Sequence, residues 1–98
     1  MIIAIDFDGV LCDHNNRKPG FIMGEPVEGA QQAMLTLKRQ GDTLIIHTNR
    51  ERFQHVEDWL QHFGIPYDEV TNIKPNADVF IDDKAIRFTT WAQVLQYL

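Results

Sequence analysis

The 98-residue sequence has little of several features that define common protein classes. It has one cysteine, Cys12, so an internal disulfide is excluded and a reducing cytoplasm is the expected compartment. The N-terminal apolar run, Ile2–Ile5, is too short for a membrane span and lacks the basic flank of a signal peptide. Basic residues number 9 against 14 acidic ones, and the net charge of −5 argues against general nucleic-acid binding.

The sequence also lacks linkers rich in proline, glycine and serine, internal repeats and low-complexity segments. This predicts a single domain over residues 1–98, with enough chain for one core. No Walker-type or G-x-G-x-x-G loop is present, so nucleotide binding by those loops is not supported.

What the sequence does contain is an alternation of short apolar runs and amphipathic segments. We expect strands at Ile2–Ile5, Thr43–Thr48, Tyr67–Thr71, Ala77–Ile81 and, at one edge, Ile86–Phe88. We expect helices from Pro26 to before Gly41, from Glu51 to Phe63 with Gly64 as the cap, and after Thr89 or Thr90. The alternation predicts an α/β fold, a Rossmann-like three-layer α/β/α sandwich around a mainly parallel sheet.

A polar stretch, Asp13–Gly20, follows the first strand and predicts the tip of a small hairpin. His14 and Arg17 lie within it. We interpret both as surface loop residues, and contact with a substrate stays open for both.

Polar side chains stand where three of the predicted strands end. Asp6 and Asp8 follow the first strand, Thr48 ends the second, and Asp82 and Asp83 follow the fourth. Because the carboxyl ends of parallel strands lie at one edge of a sheet, we expect these groups to lie together.

Such a group of carboxylates repels itself unless a cation binds there. Oxygen ligands select a hard ion, and Mg²⁺ fits because it combines one or two carboxylates with water and phosphate oxygens. The hydroxyl of Thr48 and the ammonium of Lys74, just before the fourth strand, both suit phosphate oxygens. The set predicts a phosphoryl-transfer site.

Four segments in order resemble the motifs of the haloacid dehalogenase superfamily. They are Asp6-Phe7-Asp8-Gly9-Val10, Thr48, Lys74-Pro75 and Ile81-Asp82-Asp83, and the resemblance extends from Ile2 to about Phe88. The stretches between the motifs are too short for the cap domain that many members carry. The resemblance therefore implies a capless core, whose open site accepts large substrates or is covered by another subunit of a homo-oligomer.

The resemblance also implies roles for the acidic residues. Asp6 resembles the nucleophile that forms an aspartyl phosphate, and Asp8 the general acid and base. Mg²⁺ would be held by Asp6, the backbone carbonyl of Asp8, Asp82 and Asp83. Asp82 is the expected direct ligand of the ion. Asp83 either binds the ion itself or lies behind the residues that do.

The remaining roles concern the phosphoryl group. Thr48 and Lys74 would steady it, and Asn49 would either contact it or cap the second helix. Arg50 is interpreted as a surface residue of that helix.

Since Asp8 offers a proton to a leaving oxygen, its presence favours a phosphatase over a dehalogenase. We therefore expect a Mg²⁺-dependent phosphatase acting on an unidentified phosphomonoester. Two alternatives stay open: a phosphotransferase with an acceptor other than water, and a phosphate-binding or signalling module with weak turnover.

Overall fold

The computed structural model describes residues 1–13 and 23–98. The predicted hairpin tip, with His14 and Arg17, lies outside the described residues. Along the chain the elements are β1 (Ile2–Asp6), α1 (Ala30–Arg39), β2 (Thr43–His47), α2 (Phe53–His62), β3 (Glu69–Thr71), β4 (Val79–Ile81) and α3 (Trp91–Tyr97).

The four strands form one parallel sheet in the order β3-β2-β1-β4. Ile3 of β1 is in register with Leu44 of β2 and with Val79 of β4. β1 is therefore central, and the ends of β1 and β4 meet at one edge. The predicted α/β fold with a parallel, Rossmann-like sheet is confirmed.

The core lies on one face of this sheet. Alternate residues of a strand point to the same face, and on β1 these are Ile3 and Ile5, followed by Phe7 beyond its end. Met34 of α1 and Leu60 of α2 belong to the same buried cluster. Both helices therefore cover that one face, and their packing fixes the end of β1.

The start of α1 differs from the prediction. Pro26 forms an antiparallel bridge with Cys12 instead of opening the helix, and the amide of Val27 donates to the carbonyl of Leu11 at 2.8 Å. Gly29 then takes a left-handed conformation, with φ of 84°, and the helix begins at Ala30. The segment before α1 is thereby tied to the loop after β1.

The C-terminal part of the chain is the least buried. Each residue of β4 is exposed, and no residue of α3 is buried. The hydroxyl of Thr90 accepts from the amide of Gln93 at 3.1 Å, which confirms it as the cap of α3.

The predicted edge strand Ile86–Phe88 is wrong, since these residues have no strand structure. The carboxylate of Asp82 accepts from the amide of Lys84 at 2.8 Å, and this local turn directs the chain away from the sheet. Within the described residues, no helix is long and apolar enough to cross a membrane.

Candidate functional site

Three carboxylates meet at the edge of the sheet where β1 and β4 end. Because Ile5 is paired with Ile81, Asp6 and Asp82 are the next residues in register on adjacent strands. Asp6, Asp82 and Asp83 each place a carboxylate oxygen within 4.8 Å of the others. We call these three residues the acidic triad.

Asp6 is the most buried residue of the acidic triad, and its surroundings disfavour its ionised form. Partial burial raises the pKa of Asp6 above its ordinary value, and the charges of Asp82, Asp83 and Asp8 raise it further. A hydrogen bond from the amide of Phe7, at 3.1 Å, opposes this shift. Asp6 therefore lies where an added positive charge would be most stabilising.

The donor set fits a hard divalent cation. All three donors are carboxylates, Asp82 and Asp83 are exposed, and the spacing of their oxygens is short enough for one ion to contact each. Mg²⁺ prefers few protein carboxylates and keeps several water ligands, which the exposed side of the acidic triad allows. Mutual repulsion of the three charges also favours a cation here.

Phe7 separates the two acids of the first motif. Its side chain is fully buried, and its ring meets that of Trp59 edge-on with centroids 5.1 Å apart. The carbonyl of Phe7 accepts from the amides of Leu11 and Cys12, at 3.0 and 2.9 Å, and Gly9 adopts a φ of 88°. This tight turn fixes the backbone on both sides of Asp8.

Asp8 forms an ion pair with Arg50, which the sequence pattern does not predict. The guanidinium of Arg50 donates to both carboxylate oxygens of Asp8, at 3.0 and 2.9 Å. These hydrogen bonds raise the pKa of Arg50 above its ordinary value. The guanidinium also lies over the ring of Phe7, 5.7 Å from the centroid. Asp8 is therefore held by a bidentate partner.

Thr48 links the end of β2 to this pair. It is 2% exposed, its amide donates to the carbonyl of Thr71 at 2.9 Å, and its hydroxyl oxygen accepts from the amide of Arg50 at 3.1 Å. A hydroxyl that accepts in this way keeps its own proton to donate. Asn49, between the two, is exposed.

Lys74 lies in the segment between β3 and β4. Its ammonium is over the ring of Phe80, 5.0 Å from the centroid. Phe80 is paired with Ala4, two residues before Asp6 and about 7 Å away along the strand. Lys74 is exposed, and the contact that its ammonium makes is with Phe80 of β4, two residues before Asp82 in the chain.

An open cavity of about 270 Å³ adjoins the Asp8–Arg50 pair at the start of α2. It is lined by Met23, Arg50, Glu51, Arg52 and His55.

The structure thus brings Asp6, Asp82 and Asp83 together and connects Asp8 to Thr48 through Arg50. The sequence pattern predicts Arg50 to be a surface residue at the start of the second helix, whereas the structure pairs it with Asp8. Its placement two residues after Thr48, at the edge where the acidic residues collect, was the available signal. A basic side chain at this edge lies close enough to the acidic residues to form an ion pair with one of them.

Comparison with known proteins bears on the fold. No family model matches the chain, and no curated protein matches it. A solved structure of a conserved protein from Bacteroides thetaiotaomicron is similar, with a TM-score of 0.70 and 23% identity over 98% of this chain and 87% of that chain. At this identity the likeness supports the α/β fold alone.

Proposed function

We propose that the chain is a Mg²⁺-dependent phosphohydrolase that forms an aspartyl phosphate on Asp6. The observation that carries the proposal is the convergence of Asp6, Asp82 and Asp83 at the ends of two adjacent strands, with Asp8 two residues from Asp6. The order of the motifs, which resembles the haloacid dehalogenase superfamily, supports the same reaction class.

In the first half-reaction, a carboxylate oxygen of Asp6 attacks the phosphorus of a phosphomonoester. The bond between phosphorus and the leaving oxygen breaks, and Asp8 gives its proton to that oxygen. The buried hydroxyl of Thr48 and the ammonium of Lys74 donate to the transferred phosphoryl oxygens.

In the second half-reaction, water attacks the phosphorus of the aspartyl phosphate. Asp8, now ionised, takes the proton of that water, and the bond from phosphorus to Asp6 breaks to release inorganic phosphate. Asp8 therefore returns to its protonated form at the end of each cycle.

Asp6, the backbone carbonyl of Asp8, Asp82 and Asp83 would hold the Mg²⁺ ion. When bound, the ion neutralises the acidic triad and stabilises charge on the phosphoryl oxygens. The raised pKa of Asp6 and the short oxygen spacing are the structural support for this assignment.

Arg50 has a place in the same scheme. In the structure it holds Asp8 through two hydrogen bonds, and a guanidinium binds phosphate with the same fork geometry. We assign it as a positioning residue that holds Asp8 in the free enzyme and turns to the incoming phosphate. This exchange would free Asp8 to carry a proton.

Release of phosphate from p-nitrophenyl phosphate, with Mg²⁺ or with a chelator, tests the proposal. Asp6→Asn should abolish turnover because it removes the nucleophile. Asp8→Asn should lower kcat by roughly 10²–10⁴-fold, the usual contribution of a general acid and base. Chelation should abolish the activity of the wild type.

Asp58→Asn is the matched control, since Asp58 is an exposed carboxylate on α2 whose partner is Gln54. It should retain wild-type activity. Turnover that survives Asp6→Asn, or that needs no divalent ion, would rule out the proposed mechanism.

A second candidate is a phosphate-binding module with little turnover. The observation that favours it is the Asp8–Arg50 pair, because the guanidinium engages both carboxylate oxygens of Asp8, the atoms that a general acid would use. In that case the wild type would bind inorganic phosphate with Mg²⁺, seen as a raised Tm, but release none from any phosphomonoester.

A further inference from the structure

A large apolar surface remains exposed in the C-terminal part of the chain. We define it as Phe80, Phe88, Trp91, Leu95 and Leu98, which are 44% to 89% exposed. We call these residues the C-terminal apolar surface. The rings of Phe88 and Trp91 contact each other, with centroids 5.3 Å apart, so that part of the surface is continuous.

The sheet is open next to this surface. The side chains of Ile3, Ile5, Leu44 and Ile46 belong to the covered face, under α1 and α2. The other face carries Ile2 and Phe80, which are 38% and 44% exposed. No helix of the described residues packs on that face.

The helix α3 lacks the packing that a short helix needs. It has seven residues and no buried one, and isolated helices below about 12 residues are marginal in water. Trp91, Leu95 and Leu98 recur at the spacing of one helical face. In most proteins such an apolar stripe is covered by a sheet or another helix.

We propose that the C-terminal apolar surface is the contact between two copies of this chain, with α3 of each copy packed on the open face of the other's sheet. One chain carries both an uncovered sheet face and an unpacked apolar helix. A single two-fold arrangement therefore satisfies both.

Area and charge favour a second copy. The five side chains present on the order of 650 Å² per copy, close to the roughly 800 Å² that each partner buries in a standard protein interface. Residues 88–98 contain no charged side chain. Two copies that each carry a net charge of −5 can therefore approach at this surface without placing like charges in contact.

The contact would also reach the candidate site. β4 leads directly into Asp82 and Asp83, and both are exposed in the single chain. Packing against β4 would hold the last two members of the acidic triad in place and reduce their contact with water. The proposed dimer does not depend on the phosphatase assignment.

Light scattering coupled to gel filtration tests the dimer. The wild type should have twice the 11.4 kDa mass of one chain. The double variant Trp91→Ser/Leu95→Ser should have the mass of one chain at the same concentration. Ile73→Ser is the matched control, since Ile73 is 75% exposed outside the C-terminal apolar surface, and it should remain dimeric.

A second measurement needs no variant. If two copies stabilise each other, the Tm of the wild type rises with protein concentration. A wild type with the mass of one chain and a Tm independent of concentration would overturn the proposal, and would leave a different protein as the occupant. Dimers that persist in a folded double variant, checked by circular dichroism, would overturn it as well.

Discussion

Asp6 and Asp8 are two residues apart, but their surroundings differ. Asp6 faces two other carboxylates, and burial together with their charge raises its pKa above 3.8. Asp8 faces a guanidinium. Because the side chain of Phe7 between them is fully buried, the backbone on both sides is fixed and each acid keeps its own surroundings. Asp6 therefore lies among like charges, whereas Asp8 lies beside an opposite charge.

The raised pKa of Asp6 has a defined sign for stability. Above the raised value, Asp6 is ionised in both the folded and unfolded chain, and the folded state carries the repulsion. Stability from Asp6 is thus complete below 3.8 and falls as pH rises through the raised pKa. A cation bound to the acidic triad would offset this loss at neutral pH.

At the residue scale, Arg50→Ala is the informative substitution. It removes two charge-assisted hydrogen bonds to Asp8 and the guanidinium proposed to bind phosphate. We expect kcat/KM to fall about 10- to 100-fold, the range that corresponds to hydrogen bonds with charged groups. Arg50→Lys should recover part of KM but less of kcat, since an ammonium lacks the fork geometry.

Arg39→Ala is the control for this pair of variants, because Arg39 is an exposed arginine at the end of α1. Steady-state kinetics of the four proteins measure the effect. An Arg50→Ala variant with wild-type kcat and KM would show that the Asp8–Arg50 pair has no part in turnover.

At the scale of elements, one carboxylate joins α1 to the sheet. Asp68 accepts from the amide of Leu44 at 2.7 Å and from the ammonium of Lys38 at 2.9 and 2.8 Å. It precedes β3, whereas Leu44 lies in β2 and Lys38 in α1. The hydrogen bond from Leu44 and the charge of Lys38 hold the pKa of Asp68 below its ordinary value.

Asp68→Ala should therefore lower the free energy of unfolding by about 1 kcal/mol at pH 7, the net value of an ordinary hydrogen bond. Because the folded pKa of Asp68 is depressed, its contribution is present above 3.8 and is lost as pH falls through the folded pKa. Urea unfolding of wild type and variant at several pH values should show a difference that shrinks in acid. A difference that stays constant down to pH 3 would contradict this assignment.

Much of the element order could be predicted from the sequence, because the strands are short apolar runs and parallel sheets bury such runs. The start of α1 could not, since Pro26 is compatible with a first helical turn and its bridge to Cys12 is a contact between distant residues. Nor could the Asp8–Arg50 pair, which joins residues 42 apart. The exposure of β4 depends on the position of α3, which local pattern does not determine.

At the scale of the whole molecule, the strand order explains the site. β1 lies between β2 and β4, so the acids that follow β1 are flanked by Thr48 from one neighbour and by Asp82 and Asp83 from the other. Segments 76 residues apart in the chain therefore meet at one edge. The same topology leaves β4 at the border of the sheet, where a second copy is proposed to pack.

The central claim is that Asp6 accepts a phosphoryl group. Mass spectrometry of acid-quenched Asp8→Asn tests it most directly, because without its general base this variant should hydrolyse the aspartyl phosphate slowly. After reaction with p-nitrophenyl phosphate and Mg²⁺, the peptide containing Asp6 should gain the mass of one phosphoryl group, and chelation should prevent the gain. Phosphate release by the wild type without any phosphoryl group on Asp6, or with one on another residue, would contradict the account.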